Sequence, residues 1–168
     1  MMQIELRPIT PEDTSKIVGW RNQDWVLQYF LDQRKINEES HMQYYHSRIE
    51  TGLVRQWIIK ADEKEIGTCF LRDIDYEKGR AEYGVFIGEK DYISKGIGKQ
   101  CVRKVVKIAF EEMGLNTVFA RVQEKNPRSV YSFLNTGFHM MDHTEYVEID
   151  GRQEKVVFLE ITRKDLCA

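Results

Sequence analysis

The sequence predicts a single α/β domain, in which a central twisted mixed β-sheet of about seven strands is flanked by about four helices. Segments with the alternation or β-branched composition of strands are interleaved with segments of helical periodicity, in the order β-α-α-β-β-β-α-β-α-β-β. The 168 residues are enough to bury one core. No repeat, low-complexity segment or linker divides them, so we treat residues 1–168 as one domain.

The first third of the chain contains a predicted strand followed by two predicted helices. Apolar and polar residues alternate over residues 3–9, which is the period of a half-buried strand. Thr10 can then cap a helix, with Asp13 as the acid of a capping box, and this helix should end near Asn22. A second helix is expected over residues 38–51.

The middle of the chain is predicted to form three strands and the longest helix. Residues 54–61 and 65–73 are rich in β-forming residues and are joined by a short polar turn, which predicts a hairpin. Residues 82–88 have the composition of a further strand. After a glycine loop, apolar residues at helical spacing predict a helix that ends at Met113, just before Gly114.

The last third is predicted to add three strands and one helix. β-branched residues over 117–122 indicate a strand, and an asparagine cap followed by proline predicts a helix over 126–135. Asp150-Gly151 is a strong turn signal. It separates the two strands of a second hairpin, which cover residues 138–149 and 154–161.

Composition excludes several classes of protein. With 25 Lys and Arg against 27 Asp and Glu, the net charge of −2 gives no sign of a nucleic-acid binder. The longest apolar run covers only residues 156–159, and a membrane-spanning helix needs about 20 such residues. The N-terminus lacks the pattern of a signal peptide. Three widely spaced cysteines (Cys69, Cys101 and Cys167) favour reduced thiols in the cytoplasm and give no metal-ligand spacing.

Residues 93–99, with the sequence Ile-Ser-Lys-Gly-Ile-Gly-Lys, open the longest predicted helix and resemble an anion site. The first turn of a helix has unpaired amide groups and a partial positive charge, and glycines let a phosphate approach them closely. The segment lacks the spacing of a Walker A loop, and Cys101 stands where a dinucleotide fingerprint needs its third glycine. A plain tight turn is the alternative interpretation of this single motif.

A second segment makes the pattern more specific. Residues 94–98 match the loop of motif A in the GNAT superfamily of acetyl-CoA-dependent N-acetyltransferases. Asn126, Ser129 and Gly137-Phe138 match the helix that follows the next strand in that family. The chain therefore resembles the GNAT superfamily over nearly its whole length and, within it, the RimJ/RimL-like group.

The resemblance implies acetyl-CoA as the cofactor and no metal. In the family, the strand before the loop has a bulge and splays from the following strand, and the pantetheine arm pairs with the strand amides exposed there. One of those amides would polarise the thioester carbonyl. The residues implied in cofactor binding lie on this strand, in the loop and on the later helix: Val85, Phe86, Ile87, Ser94, Lys95, Gly96, Ile97, Gly98, Lys99, Asn126, Ser129 and Phe133.

Two positions depart from the family pattern. Ile93 stands where a glutamine or arginine is usual, so a phosphate contact is missing. Phe133 stands where many members have a tyrosine that protonates the departing thiolate, and this phenylalanine is expected to pack in the core. The thiolate would then take its proton from water, since an ordinary thiol has a pKa of about 8.5.

The resemblance further implies direct acetyl transfer to a primary amine, either on a small molecule such as an amino sugar or a polyamine or at a protein N-terminus. A base must remove a proton from that amine. Glu82 is the candidate, because several GNAT members have a glutamate at the start of this strand; the alternative is an exposed strand-end acid. A non-catalytic acyl-CoA-binding regulatory module is the alternative function. A homodimer is compatible with such folds.

Acceptor binding is expected around the first two helices, where aromatic and polar side chains are dense: Trp20, Arg21, Asn22 and Tyr29. Similar Trp-Arg-Asn segments occur in amino-sugar-nucleotide acetyltransferases related to the RimJ/RimL-like group. Arg21 could hold a phosphate or carboxylate of the acceptor. The alternative is that the tryptophan belongs to the core and the arginine is solvated.

Overall fold

The computed structural model describes the backbone of residues 2–167 and the side chains of residues 2–166. The strands are β1 (Ile4–Pro8), β2 (Arg55–Ala61), β3 (Lys64–Asp75), β4 (Arg80–Ile87), β5 (Thr117–Gln123), β6 (His139–Ile149) and β7 (Arg152–Thr162). The helices are α1 (Thr14–Arg21), α2 (Asp24–Leu27), α3 (Glu38–Tyr44), α4 (Ile97–Lys107), α5 (Pro127–Leu134) and α6 (Arg163–Cys167).

The strands form one mixed sheet in the order β1-β2-β3-β4-β5-β7-β6. Neighbouring strands are antiparallel, except that β4 and β5 are parallel. A parallel pair needs a crossover connection, and α4 supplies it. The predicted fold class, a mixed sheet of about seven strands with flanking helices, is confirmed.

The parallel pair is short, and its two strands then separate. Pairing runs only from Arg80 opposite Thr117 to Glu82 opposite Phe119. Beyond this point β4 continues along β3, and β5 continues along β7. A gap therefore opens between the carboxyl ends of β4 and β5, and its edges carry backbone groups that lack a partner from the facing strand. The predicted splay is present.

Core residues lie on both faces of the sheet. On one face, α4 buries a stripe of apolar residues in the main cluster, together with residues of β3 and β5: Ile97, Cys101, Val105, Leu71 and Val118. On the other face, α1 packs in a smaller cluster: Ile9, Ile17, Trp20 and Ile58. Burying one such aliphatic side chain contributes about 1.5–3 kcal/mol, so the two clusters fix α1 and α4 on opposite faces of the sheet.

Within the described residues, two short helices were not predicted from the sequence. The short helices α2 and α6 have four and five residues, too few to show helical periodicity. At the start of the first predicted helix, the backbone N–H of Thr10 donates to the Asp13 carboxylate at 2.8 Å, as the capping box requires. Among the described helices, none combines the length and apolar character needed to cross a membrane.

Candidate active site

The backbone amides at the start of α4 receive no capping hydrogen bond from a side chain of the described residues. Ser94 and Gly96 both have left-handed backbone conformations, with φ of +63° and +76°. Gly96 is the N-cap, and its lack of a side chain leaves the first-turn amides free of a capping bond. The first helical bond runs from the Gln100 N–H to the Gly96 carbonyl at 3.4 Å. The amides of residues 97–99 are therefore available to an anion.

The second half of α5 lies beside the start of α4. A side chain added at Gly98 would lie 3.8 Å from the Ser132 Oγ atom, so the two helices approach closely here. Asn126 caps α5, because its Oδ1 atom accepts the Ser129 N–H at 3.4 Å. Asn126 also donates its own N–H to the Gln123 carbonyl at 2.9 Å. The cap therefore holds the end of β5 against the start of α5.

The gap-lining part of β4 is regular rather than bulged. Val85, Phe86 and Ile87 are half-buried and pair with β3 in an unbroken register. The register shift in this strand pair falls at the other end, between Arg72 and Asp75 of β3. The prediction of a bulge in β4 was wrong. β4 separates from β5 without a bulge because their parallel pairing ends at Glu82.

Glu82 lies at the base of the gap and is clamped by two arginines. Its Oε1 atom accepts from Arg72 Nε and Arg121 Nη2, both at 3.2 Å. Its Oε2 atom accepts from Arg72 Nη2 at 3.2 Å and from Arg121 Nε at 3.0 Å. The side chain is only 3% exposed, so the alternative interpretation of Glu82 as an exposed strand-end acid is wrong. The clamp joins β3, β4 and β5 where the gap begins.

A loop after α2 crosses the open side of the gap. The buried Gln123 side chain donates from Nε2 to the Phe30 carbonyl at 3.0 Å and to the Gln28 carbonyl at 3.4 Å. The Phe30 ring contacts the Phe86 ring edge-on, with centroids 5.4 Å apart. The loop is thus fixed to β5 by hydrogen bonds and to β4 by an aromatic contact.

The residues predicted to bind the acceptor separate into different roles. Trp20 is buried, and a side chain added at Gly88 would lie only 2.1 Å from its ring, so Trp20 packs in the core. Asn22 bonds both backbone groups of Ile36, at 2.7 and 2.9 Å, and so fixes a loop. Tyr29 is exposed on the crossing loop.

Among the residues predicted to bind the acceptor, Arg21 has a hydrogen-bond donor without a partner in the described residues. Its guanidinium lies 3.9 Å from the centroid of the Phe30 ring, and its Nη2 atom donates to the Asp32 carbonyl at 2.7 Å. The Nη1 atom is buried and has no hydrogen-bond partner among the described residues. Burial lowers the pKa of the Arg21 guanidinium, and the nearby Arg72 charge adds to that effect.

Phe133 is buried in the core, and nothing in its packing points to a cofactor contact. Its ring lies 5.0 Å from that of Phe138 and 6.0 Å from that of Tyr83, measured between centroids. The Tyr83 hydroxyl is also buried and has no partner among the described residues. Burial raises the pKa of Tyr83 well above its ordinary value. An aromatic cluster therefore fills the position of the family's usual tyrosine.

The sequence interpretation missed Arg72, Arg121 and Gln123. Arg72 comes from β3 and Arg121 from β5, so only the pairing of the sheet brings them to Glu82. Arg121 and Gln123 alternate with buried apolar residues along β5, which places both on the face opposite α4. That alternation was the signal available in the sequence, and it gives no indication of partners.

The geometry by itself defines a class of protein. A helix start with bare amides, beside a gap between two strands, suits a ligand that has phosphates at one end and a thin arm able to pair with strand backbone. Coenzyme A thioesters have this form. The fold and site therefore define a domain that binds an acyl-CoA.

Comparison with known families makes the assignment specific. The family described as Acetyltransferase (GNAT) domain matches residues 3–139. This chain belongs to the GNAT acetyltransferase family, and acetyl-CoA is the cofactor of that family.

Relatives and solved structures agree with this family. An uncharacterized N-acetyltransferase p20 of Bacillus licheniformis is 36% identical over 109 residues, which are 64% of this chain and 61% of that protein. A spermidine N(1)-acetyltransferase of Vibrio cholerae is 22% identical over 156 residues, 92% of this chain and 90% of that protein. The structure of spermidine N-acetyltransferase from Vibrio cholerae in complex with CoA and spermine matches with a TM-score of 0.90 at 21% identity, over 99% of each chain.

Proposed function

We propose that this acetyltransferase moves the acetyl group of acetyl-CoA directly to a primary amine, on a small molecule or at a protein N-terminus. The observation that carries the proposal is the end of β4–β5 pairing at Glu82, beside the bare first turn of α4. An amide cradle and a strand gap next to each other suit both ends of the cofactor. The acceptor then approaches from the opposite face, beneath the loop that holds Phe30.

Each part of this site has a distinct task in the proposed reaction. The amides of residues 97–99 bind the pyrophosphate, and Lys95, exposed in the same loop, adds positive charge. A backbone N–H among Val85, Phe86 and Ile87 donates to the thioester oxygen as negative charge develops there. The thioester supplies an activated acetyl group, whose C–S bond breaks as the new C–N bond forms. Glu82, directly or through water, is the proposed acceptor of the amine proton.

Several finer assignments remain part of this proposal. The Vibrio cholerae relative is named for spermidine, which supports a polyamine as one class of acceptor. A solved structure of spermidine N-acetyltransferase from Vibrio cholerae is described as dodecameric, which supports self-association of this chain. Membership of the RimJ/RimL-like group and a cytoplasmic location stay predictions from the sequence.

The test is acetylation of a broad panel of amines, followed by mass spectrometry for the added acetyl group, with acetyl-CoA binding measured by calorimetry. We expect both binding and turnover. Binding without turnover would favour a regulatory acyl-CoA-binding module, which the phenylalanine at Phe133 makes the second candidate. Absence of binding would contradict both proposals.

Paired glycine variants test the cofactor cradle. Gly96 precedes α4, and Gly114 follows the helical segment Ile108–Glu112 that continues α4. Both glycines have positive φ, and an added side chain would meet no atom within 4 Å at either position. Gly96→Ala and Gly114→Ala should therefore each cost about 1–2 kcal/mol of stability through backbone strain. Only Gly96→Ala should also weaken acetyl-CoA binding, by about tenfold. Equal affinities in the two variants would exclude this loop as the phosphate site.

A further inference from the structure

The face of the sheet opposite α4, from which the acceptor is proposed to approach, is called the acceptor face. It carries more arginines than carboxylates that could neutralise them. Glu82 lies between Arg72 and Arg121, and each of these guanidinium groups makes two bonds to it. One negative charge thus faces two positive charges. Arg72 and Arg121 are 35% and 29% exposed, so a ligand on this face can still reach them.

Arg21 adds a third positive charge, and it forms no ion pair among the described residues. Its Nη2 atom bonds to the backbone carbonyl of Asp32, while the Asp32 carboxylate is taken by Arg34 at 2.7 and 2.9 Å. Its Nη1 atom is buried, and no described residue forms a hydrogen bond with it. Buried charges are normally paired, because desolvating an isolated ion is costly. The missing partner of Arg21 is therefore expected to come from a ligand.

The position of Arg21 connects this charge to the reacting centre. Its guanidinium stacks on the Phe30 ring, and the Phe30 ring contacts Phe86 of the gap-lining strand. Two other charged groups, Asp73 and Arg48, are opposite in sign and both act on Tyr44, and Asp73 also acts on Arg72. Because the charges of Asp73 and Arg48 cancel, the acceptor face keeps a net positive charge close to Phe86.

We propose that the amine acceptor carries an oxyanion, a carboxylate or a phosphate, which binds the free Nη1 atom of Arg21. Arg72 and Arg121 supply additional positive potential. A guanidinium suits either anion, because it can donate two parallel hydrogen bonds. A polyamine has only positive charges and is disfavoured on this face. This inference rests on the proposed acetyl transfer and narrows its substrate class.

Matched amine pairs test the charge preference. Glucosamine 6-phosphate is compared with glucosamine to test a phosphate, and β-alanine with β-alaninamide to test a carboxylate, while spermidine represents polyamines. We expect at least one anionic amine to exceed its neutral partner in kcat/KM by about tenfold or more, and spermidine to be the poorest acceptor. The pair that responds identifies the oxyanion.

Variants at Arg21 test its contact with the anion. Arg21→Gln should raise KM for the preferred anionic amine by about 10- to 100-fold more than it raises KM for the neutral partner. Arg21→Lys keeps the charge without the fork and should retain part of the preference, which also covers the case in which the glutamine variant folds poorly. The control is Arg152→Gln, on an exposed arginine of the β6–β7 hairpin, which should change neither value.

The opposite results are distinguishable from failure of the proposed function. If spermidine or the neutral amines are preferred, or if Arg21→Gln weakens acetyl-CoA binding in calorimetry instead of raising KM for the anionic amine, this inference is overturned while acetyl transfer stands. If no amine in the panel is acetylated, the proposed function itself fails, and the inference with it.

Discussion

Glu82 is held in place more firmly than its proposed role as a base would suggest. Each carboxylate oxygen already accepts two hydrogen bonds, which uses the two lone-pair sites that each oxygen offers. To receive a proton, one oxygen must release a guanidinium donor. The residue therefore has two functions to separate, structural clamp and proton acceptor.

A pair of variants separates these functions, with a neutral amine as acceptor. If Glu82 is the base, Glu82→Gln should lower kcat by about 10²-fold or more and leave acetyl-CoA binding unchanged. Arg72→Gln loosens the clamp but keeps the carboxylate, so it should lose much less activity. Equal losses of kcat in the two variants would assign Glu82 to the clamp alone.

The buried Tyr83 hydroxyl leads to a prediction about the free energy of unfolding. Its buried hydroxyl has no partner among the described residues, and an unpaired buried polar group costs about 1–3 kcal/mol. Tyr83→Phe should therefore leave the free energy of unfolding unchanged or raise it by about 1 kcal/mol, as measured by urea denaturation. Turnover should not change. A large fall in kcat would show instead that this hydroxyl acts on the departing thiolate.

At the scale of elements, the packing of α3 on α1 depends on a neutral histidine. His41 is buried, and its Nδ1 atom lies 3.0 Å from the Thr14 hydroxyl of α1. Burial lowers the pKa of His41, and this effect exceeds the opposing influence of Asp13. As pH falls below the ordinary histidine value of about 6.5, the unfolded chain gains a proton before the folded chain does.

The sign of this effect gives a testable pH dependence. The contribution of His41 is fully present above about pH 6.5 and is lost as pH falls toward the lower, folded pKa. Thermal unfolding between about pH 7.5 and about pH 5 should show decreasing stability, and His41→Gln should make the curve flatter. His46→Gln, at an exposed histidine paired with Glu50, is the control and should keep the slope. An unchanged slope in His41→Gln would contradict the assignment.

At the scale of the whole molecule, β6 forms one edge of the sheet, and most of its residues are exposed. An edge strand offers unpaired backbone groups to another chain. Met140 and Tyr146 add exposed apolar surface there, with Tyr146 64% exposed. We therefore propose β6 as the contact surface for the self-association proposed above.

Sedimentation experiments test this edge. Tyr146→Lys should weaken self-association by about tenfold or more, because a charge would be desolvated in the interface. Tyr76→Lys, at a similarly exposed tyrosine (60%) in the turn between β3 and β4, should have no effect. If the unmodified protein is monomeric at all concentrations, or both variants behave alike, β6 is not the interface.

Local patterns determined much of the fold at each of these scales. Asp150 and Gly151 both adopt positive φ, of +51° and +76°, in the turn that their residue types predicted. Gly114 ends the segment that continues α4, as expected, with φ of +71°. The shortest helices, α2 and α6, were missed because a single turn carries no periodicity.

The sequence by itself determined the strands, the long helices, the glycine-opened start of α4 and the family resemblance, because these depend on residues close together in the chain. Only the tertiary structure decided that Trp20 is core, that Glu82 is clamped by Arg72 and Arg121, and that Arg21 keeps a buried nitrogen without a partner. The physical reason is that pairing and burial of charge depend on which strands become neighbours. The distances between these residues along the chain do not contain that information.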